Sequence, residues 1–185
     1  MRKLFITLFV LTWVAGAWAS PARVILLRHA EKPADDSEEH LSARGFQRAE
    51  ALAFCLTTNV SLLSTSRPVA LFAARPTRHG VRRPYETLQP LAKRLNLPIQ
   101  TPYSREDHSQ LVRSIMQNPQ YDQKTVIICW VHEYLPELAQ DFGIKPKHLQ
   151  WKGSVYDRFW VITFEADRPK LSKVPQLLLP GDSGE

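Results

Sequence analysis

Only two cysteines and seven glycines occur among the 185 residues, and these scarcities narrow the possible functions. No glycine-rich loop is present to cradle the phosphates of a nucleotide. No carboxylate cluster is arranged for a metal; Asp35, Asp36, Glu38 and Glu39 read as a solvated acidic loop. No basic run is interleaved with aromatics, which removes the pattern of a single-strand nucleic-acid binder. The positive excess is modest, since the formal +6 falls to +4 without Arg2 and Lys3. Repeats and low-complexity blocks are absent too. His132-Glu133-Tyr134-Leu135-Pro136 is not the zinc pattern H-E-x-x-H.

The one long apolar run lies at the N-terminus. Met1-Arg2-Lys3 is a basic head, Leu4 to Ala15 is mostly apolar, and Ala17-Trp18-Ala19 is an A-x-A cleavage site. A membrane span needs about 20 apolar residues, so the expectation is a secretory signal over 1–19, cut before Ser20. Periplasmic or secreted localisation follows, with no stable membrane insertion after cleavage and no nucleic-acid partner. Residues 20–185 suffice for one domain. Its tail, with Pro175, Pro180, Gly181 and Gly184, is expected to be irregular from about residue 170. Cys55 flanks a helix face and Cys129 sits in a strand pattern, so two buried thiols are expected although an exported protein permits a bridge.

What is present is an alternation of strands and helices. Val24 to Leu27 is a short buried strand, and Ser42 caps a helix with Phe46, Ala49, Leu52, Ala53 and Leu56 on one face. Val69 to Ala74 is a second strand. Pro84 opens a helix whose apolar face holds Leu88, Leu91, Ala92 and Leu95, where Pro90 implies a kink or a late start. A helix with Leu111 and Ile115 follows a Ser104 cap. Thr125 to Val131 is the strongest strand, a helix through Leu138 and Ala139 stops near Gly143, and Phe159 to Phe164 is a final strand. The pattern predicts an α/β fold, a three-layer αβα sandwich around a mostly parallel sheet.

Two of these strands end in histidine: Leu27 leads into Arg28-His29, and Val131 into His132-Glu133. Ligands of open parallel sheets bind beyond the carboxyl ends of the strands, so neighbouring strands would bring both imidazoles into one crevice. Arg82 and Arg83 stand just before the helix opened by Pro84, whose free N–H groups favour an anion. Two arginines, two histidines and a helix N-terminus suit a phosphoryl group. By contrast, His40, His79, His108 and His148 lack a strand-end setting and read as surface residues. Glu31 and Lys32 fit either the cavity mouth or a surface ion pair. Trp130, Trp151 and Trp160 read as core or rim.

These motifs, taken in order, resemble the histidine phosphatase (phosphoglycerate mutase-like) superfamily, and its short exported bacterial-type members in particular. Val24–Pro33 is similar to the arginine-histidine strand end, and Leu41-Ser42-Ala43-Arg44-Gly45-Phe46-Gln47-Arg48-Ala49 to the L-S-x-x-G-x-x-R-A helix start. Arg83-Pro84-Tyr85-Glu86-Thr87 is similar to R-x-x-[EQ]-T, and Val126–His132 to the strand delivering the second histidine. Trp151 and Tyr156-Asp157-Arg158 resemble the closing segment of the exported group.

The resemblance implies a phosphatase that hydrolyses a phosphomonoester through a phosphohistidine on His29, without metal or other cofactor. Arg28, Arg83 and His132 would bind the phosphoryl oxygens. The proton donor would be Glu133, as in the phytase-like branch, with Glu106 and Asp107 in the segment that supplies it in the other branch. Exported relatives often carry a glutamate where this chain has Val131. The substrate would be a phosphorylated small molecule or a phosphorylated protein side chain. Two alternatives stay open: a phosphohistidine protein phosphatase, and a non-catalytic protein of the same fold binding phosphate or phosphoglycan. A mutase is disfavoured, because the chain has little length for a water-excluding lid.

Overall fold

The computed structural model describes residues 20–184 except 36, 64–66, 78–81, 146–148 and 166–167. The expected signal over 1–19, His79 and His148 therefore lie outside the described residues. Among those described, no helix is long and apolar enough to cross a membrane.

Six strands form one sheet: β1 (Arg23–Arg28), β2 (Pro68–Ala73), β3 (Ile99–Gln100), β4 (Thr125–Trp130), β5 (Arg158–Glu165) and β6 (Arg168–Pro175). Their spatial order is β3-β2-β4-β1-β5-β6. The first four are mutually parallel, whereas β5 runs antiparallel to β1 and β6 antiparallel to β5. Five helices accompany them: α1 (Ala43–Thr58), α2 (Val60–Leu63), α3 (Arg83–Leu95), α4 (His108–Met116) and α5 (Leu135–Asp141).

Why there are three layers follows from the period-2 geometry of a strand. Val24, Leu26, Val126, Ile128 and Trp130 face one side, packed with Leu111 and Ile115 of α4 and with Leu138 of α5. Ile25, Leu27, Ile127 and Cys129 face the other, packed with Leu52 and Leu56 of α1 and with Leu88 and Leu91 of α3. Because both faces are apolar, both must be covered, and β1 and β4 are buried almost throughout.

Several local expectations hold and several do not. Ser42 caps α1, its hydroxyl accepting from Gly45 N–H at 3.1 Å. Helix α3 runs unbroken through Pro90: the proline removes one intrahelical bond, but burial of Leu88 and Leu91 on either side holds the helix to the sheet. Ser104 does not cap α4. Asp107 occupies the N-cap and accepts from both the N–H and the hydroxyl of Ser104, at 3.0 and 2.8 Å. Cys129 is a buried free thiol, and Cys55 a half-buried one.

The expected irregular tail from about 170 is corrected. Residues 168–175 form β6, so Phe159–Phe164 lies within β5 and is not the last strand. The sequence there is polar because β6 is an edge strand with no fully buried residue, and Pro169 and Pro175 are tolerated at an edge. Beyond it, Asp182 ties the chain down, accepting from Leu178 and Leu179 N–H and from Arg48.

Candidate active site

The register of the sheet assembles the site. Leu27 and Arg28 lie opposite Cys129 and Trp130, so β1 and β4 end side by side. His29 N–H donates to Trp130 O at 3.0 Å and Ala74 N–H to Cys129 O at 3.3 Å, which brings the ends of β1, β4 and β2 to one crevice. There a cavity of about 130 Å³ is lined by residues that include Arg28, His29, Arg83, His132 and Glu133. All five residues singled out in the sequence thus meet in one place. Arg82, exposed, does not line it, nor do Glu106 and Asp107.

His29 is buried, and its Nδ1–H donates to the carbonyl of Ala30 at 2.8 Å. That bond fixes the tautomer and leaves the Nε2 lone pair free. Burial pulls its pKa down to about 3; the Ala30 carbonyl opposes the shift, while the charges of Arg28 and Arg83 and His132 reinforce it. The imidazole is therefore neutral at physiological pH, as a nucleophile must be.

The turn carrying His29 is clamped from two sides. Ala30 N–H donates to Thr87 Oγ1 at 2.9 Å, and the Thr87 hydroxyl donates to Arg83 O at 2.7 Å. One buried hydroxyl thus links the His29 turn to the first turn of α3. On the other side, Ser42 N–H donates to Glu31 O at 2.9 Å. Here Gly45 is required: a Cβ would stand 2.3 Å from Glu31 O, so only glycine lets α1 start this close.

Arg28 is buried beneath the segment before β5. Its Nη1 donates to Gly153 O and, at 3.4 Å, to Val155 O, and its guanidinium lies 3.9 Å over the Tyr156 ring. Burial pulls its pKa below the ordinary arginine value, partly offset by Tyr156 and Glu133. Arg83 Nη1 donates to Glu38 O at 3.4 Å. Among the described residues, three buried side-chain nitrogens make no hydrogen bond: Arg28 Nε, Arg83 Nε and His132 Nδ1. Buried donors normally find partners. These three belong to residues lining the same cavity.

His132 Nδ1 lies 3.0 Å from a Glu133 carboxylate oxygen without hydrogen-bond geometry, and the Glu133 side chain is 59% exposed. Burial and the Arg28 charge hold the His132 pKa below the ordinary value, against the opposing pull of Glu133. On the ring's other side a Cβ at Gly153 would stand 2.9 Å from Nε2, so that glycine lets the segment before β5 approach. No group of three or more His, Cys, Asp or Glu among the described residues could hold a metal ion.

Sequence reasoning missed Thr87 as the link and Gly153 as the contact of His132, and did not single out Arg75 and Arg105, which line the cavity. Arg75 was legible: it follows an apolar strand as Arg28 does. Of the presumed surface histidines, His40 is exposed, whereas His108 is half-buried and paired with Asp141 at 2.6 Å.

No family model and no curated protein matches the sequence. Solved structures do. A mycobacterial glucosyl-3-phosphoglycerate phosphatase with inorganic phosphate is 15% identical, with TM-score 0.55 over 82% of this chain and 95% of that one. The protein histidine phosphatase SixA complexed with tungstate is 14% identical, TM-score 0.55, over 83% and 97%. A phosphoserine phosphatase mutant from Entamoeba histolytica with phosphoserine is 13% identical, TM-score 0.53, over 81% and 94%. The likeness is one of fold, the three-layer α/β architecture that the alternation of strands and helices predicts.

Proposed function

We propose that this chain is a phosphoric monoester hydrolase of the histidine phosphatase type, metal-independent and exported to the periplasm or medium. The observation that carries the reading is the convergence of Arg28, Arg83 and His132, each keeping a buried side-chain nitrogen without a hydrogen bond, around the neutral imidazole of His29 in one cavity. Structural neighbours described as phosphatases, one holding inorganic phosphate, support it.

The chemistry follows from the parts. His29 Nε2 attacks phosphorus, forming an N–P bond as the P–O bond to the leaving group breaks. Arg28, Arg83 and His132 hold the three non-bridging oxygens with fixed positive charge and N–H donors, which is most of what phosphoryl transfer asks of a protein. The leaving oxygen takes a proton from Glu133. Water, handing a proton to the Glu133 carboxylate, then attacks the phosphohistidine, breaking the N–P bond and releasing inorganic phosphate, and His29 returns to neutrality with Glu133 reprotonated. Glu133 is mostly exposed and stands beside His132, which favours substrates whose leaving group needs little help, a phosphorylated histidine side chain among them.

The test is turnover of p-nitrophenyl phosphate by the mature protein, with rapid quench to trap an acid-labile phosphoenzyme. His29→Ala is expected to lower turnover by about 10⁴-fold or more and to abolish the trapped species. Substantial residual turnover in that variant would exclude the covalent mechanism, and phosphate binding without turnover in the parent would leave a binding protein.

A further inference from the structure

The cavity carries more positive charge than a single phosphoryl group requires. Beyond Arg28 and Arg83, its lining includes Lys32, Arg75 and Arg105, against one carboxylate, Glu133. Arg75 stands two residues past the end of β2 and lines the cavity; its N–H donates to Tyr103 O at 2.8 Å and its Nε to Thr101 O at 3.4 Å. Arg105 belongs to the loop after β3, anchored where its carbonyl accepts from Trp130 Nε1 at 3.0 Å. The sheet order gives direction: β2 lies two strands from β1. With about 4.8 Å between strands, the root of Arg75 is roughly 10 Å across the crevice from that of His29.

We infer that the mouth of the cavity takes a second oxyanion of the substrate, a carboxylate or a further phosphate several bonds from the reacting phosphoryl group. Arg75 is its main partner and Arg105 the second. The inference rests on the phosphatase reading for the reacting group. A guanidinium fork matches either oxyanion bidentately. Arg105 pairs with Glu106 at 2.6 Å, both side chains being exposed. Such a pair is worth little, so an incoming anion exchanges with it at small cost. A neutral ester leaves this charge unmatched, which makes Arg75 a specificity-determining residue.

The experiment separates the two readings. Calorimetry with 4-carboxybenzylphosphonate and its neutral amide reads the second subsite without turnover, and 4-carboxyphenyl phosphate and its amide read hydrolysis. The carboxylate phosphonate is expected to bind about tenfold tighter than the amide, the ratio to fall towards one in Arg75→Gln and in high salt, and part of it to survive in Arg75→Lys. Equal binding in the parent protein, or a ratio unchanged in both Arg75→Gln and Arg105→Gln, overturns the inference. If the phosphonates bind in the expected ratio while neither ester is hydrolysed, the phosphatase reading falls and the subsite stands. If both esters are hydrolysed alike and both phosphonates bind alike, the subsite falls and the phosphatase stands. Failure of the carboxylate phosphonate to bind refutes the subsite as well.

Discussion

Two buried arginines, Arg28 and Arg48, sit in opposite electrostatic situations although each is only 2% exposed. Arg48 is saturated. Its Nε and Nη2 donate to Glu31, Nη1 to Gln176 and to Asp182, and Nη2 again to Asp182 at 2.7 Å. These bonds hold its pKa above the ordinary arginine value despite burial, and hold that of Asp182 below the usual carboxylate range. Arg28 has only backbone carbonyls and an aromatic face, keeps an unpartnered Nε, and is pulled downward by burial. A buried charge that satisfies itself builds structure. One left partly unsatisfied, at the end of a strand in a cavity, is poised for a ligand.

That contrast is most directly broken by removing each arginine in turn. Arg48→Ala leaves Glu31 and Asp182 with only the exposed Arg44 to pair them, and is expected to cost about 3–5 kcal/mol of stability, read by urea unfolding, with kcat/KM of the folded fraction near that of the parent. Arg28→Ala and Arg83→Ala are expected to lower kcat/KM by about 10²–10³-fold with little loss of stability. Arg82→Ala is the control, within about 0.5 kcal/mol by either measure. Should Arg48→Ala silence a well-folded enzyme, the division between the two arginines fails.

A finer test asks whether the cavity's one carboxylate takes part in chemistry. Glu133→Gln is expected to slow an alkyl phosphate by about 10²-fold while scarcely changing p-nitrophenyl phosphate, whose leaving group needs no proton. Equal slowing of both would make Glu133 a positioning residue for His132.

Another test reads stability against pH. The His29 pKa is about 3 in the folded chain against 6.5 for the free side chain. Below pH 6.5 the unfolded chain takes up a proton that the folded one refuses, so acidification favours unfolding until the pH approaches 3. His29→Asn should therefore lose less stability than the parent between pH 6.5 and 4, followed by urea midpoints. Asp182 acts below that window: its contribution is complete above pH 3.8 and is lost as the pH falls further.

Much of the fold was open to reading because each strand of the core announces itself locally. Val24–Leu27 and Thr125–Trp130 are apolar on both faces, which demands helices on both sides, and the chain supplies them. The polar ends of those strands, Arg28-His29 and His132-Glu133, follow the same local logic, as does the Arg83-Pro84 helix start. The polar edge strand β6 hid because alternation with lysine and proline carries no burial signal of its own.

The sequence by itself therefore determined the layers, the strand ends and which polar side chains stand at those ends, since these depend on neighbours within a few residues. Only the tertiary structure decided that Arg28 meets Gly153 and Tyr156, that Thr87 ties Ala30 to Arg83, and that Arg48 closes on Asp182. Each of these joins residues 57 to 134 positions apart, apart from the short Thr87–Arg83 step. Whether a buried arginine is sated or open depends on partners that arrive from such distances, and nothing in the local pattern around Arg28 or Arg48 distinguishes the two.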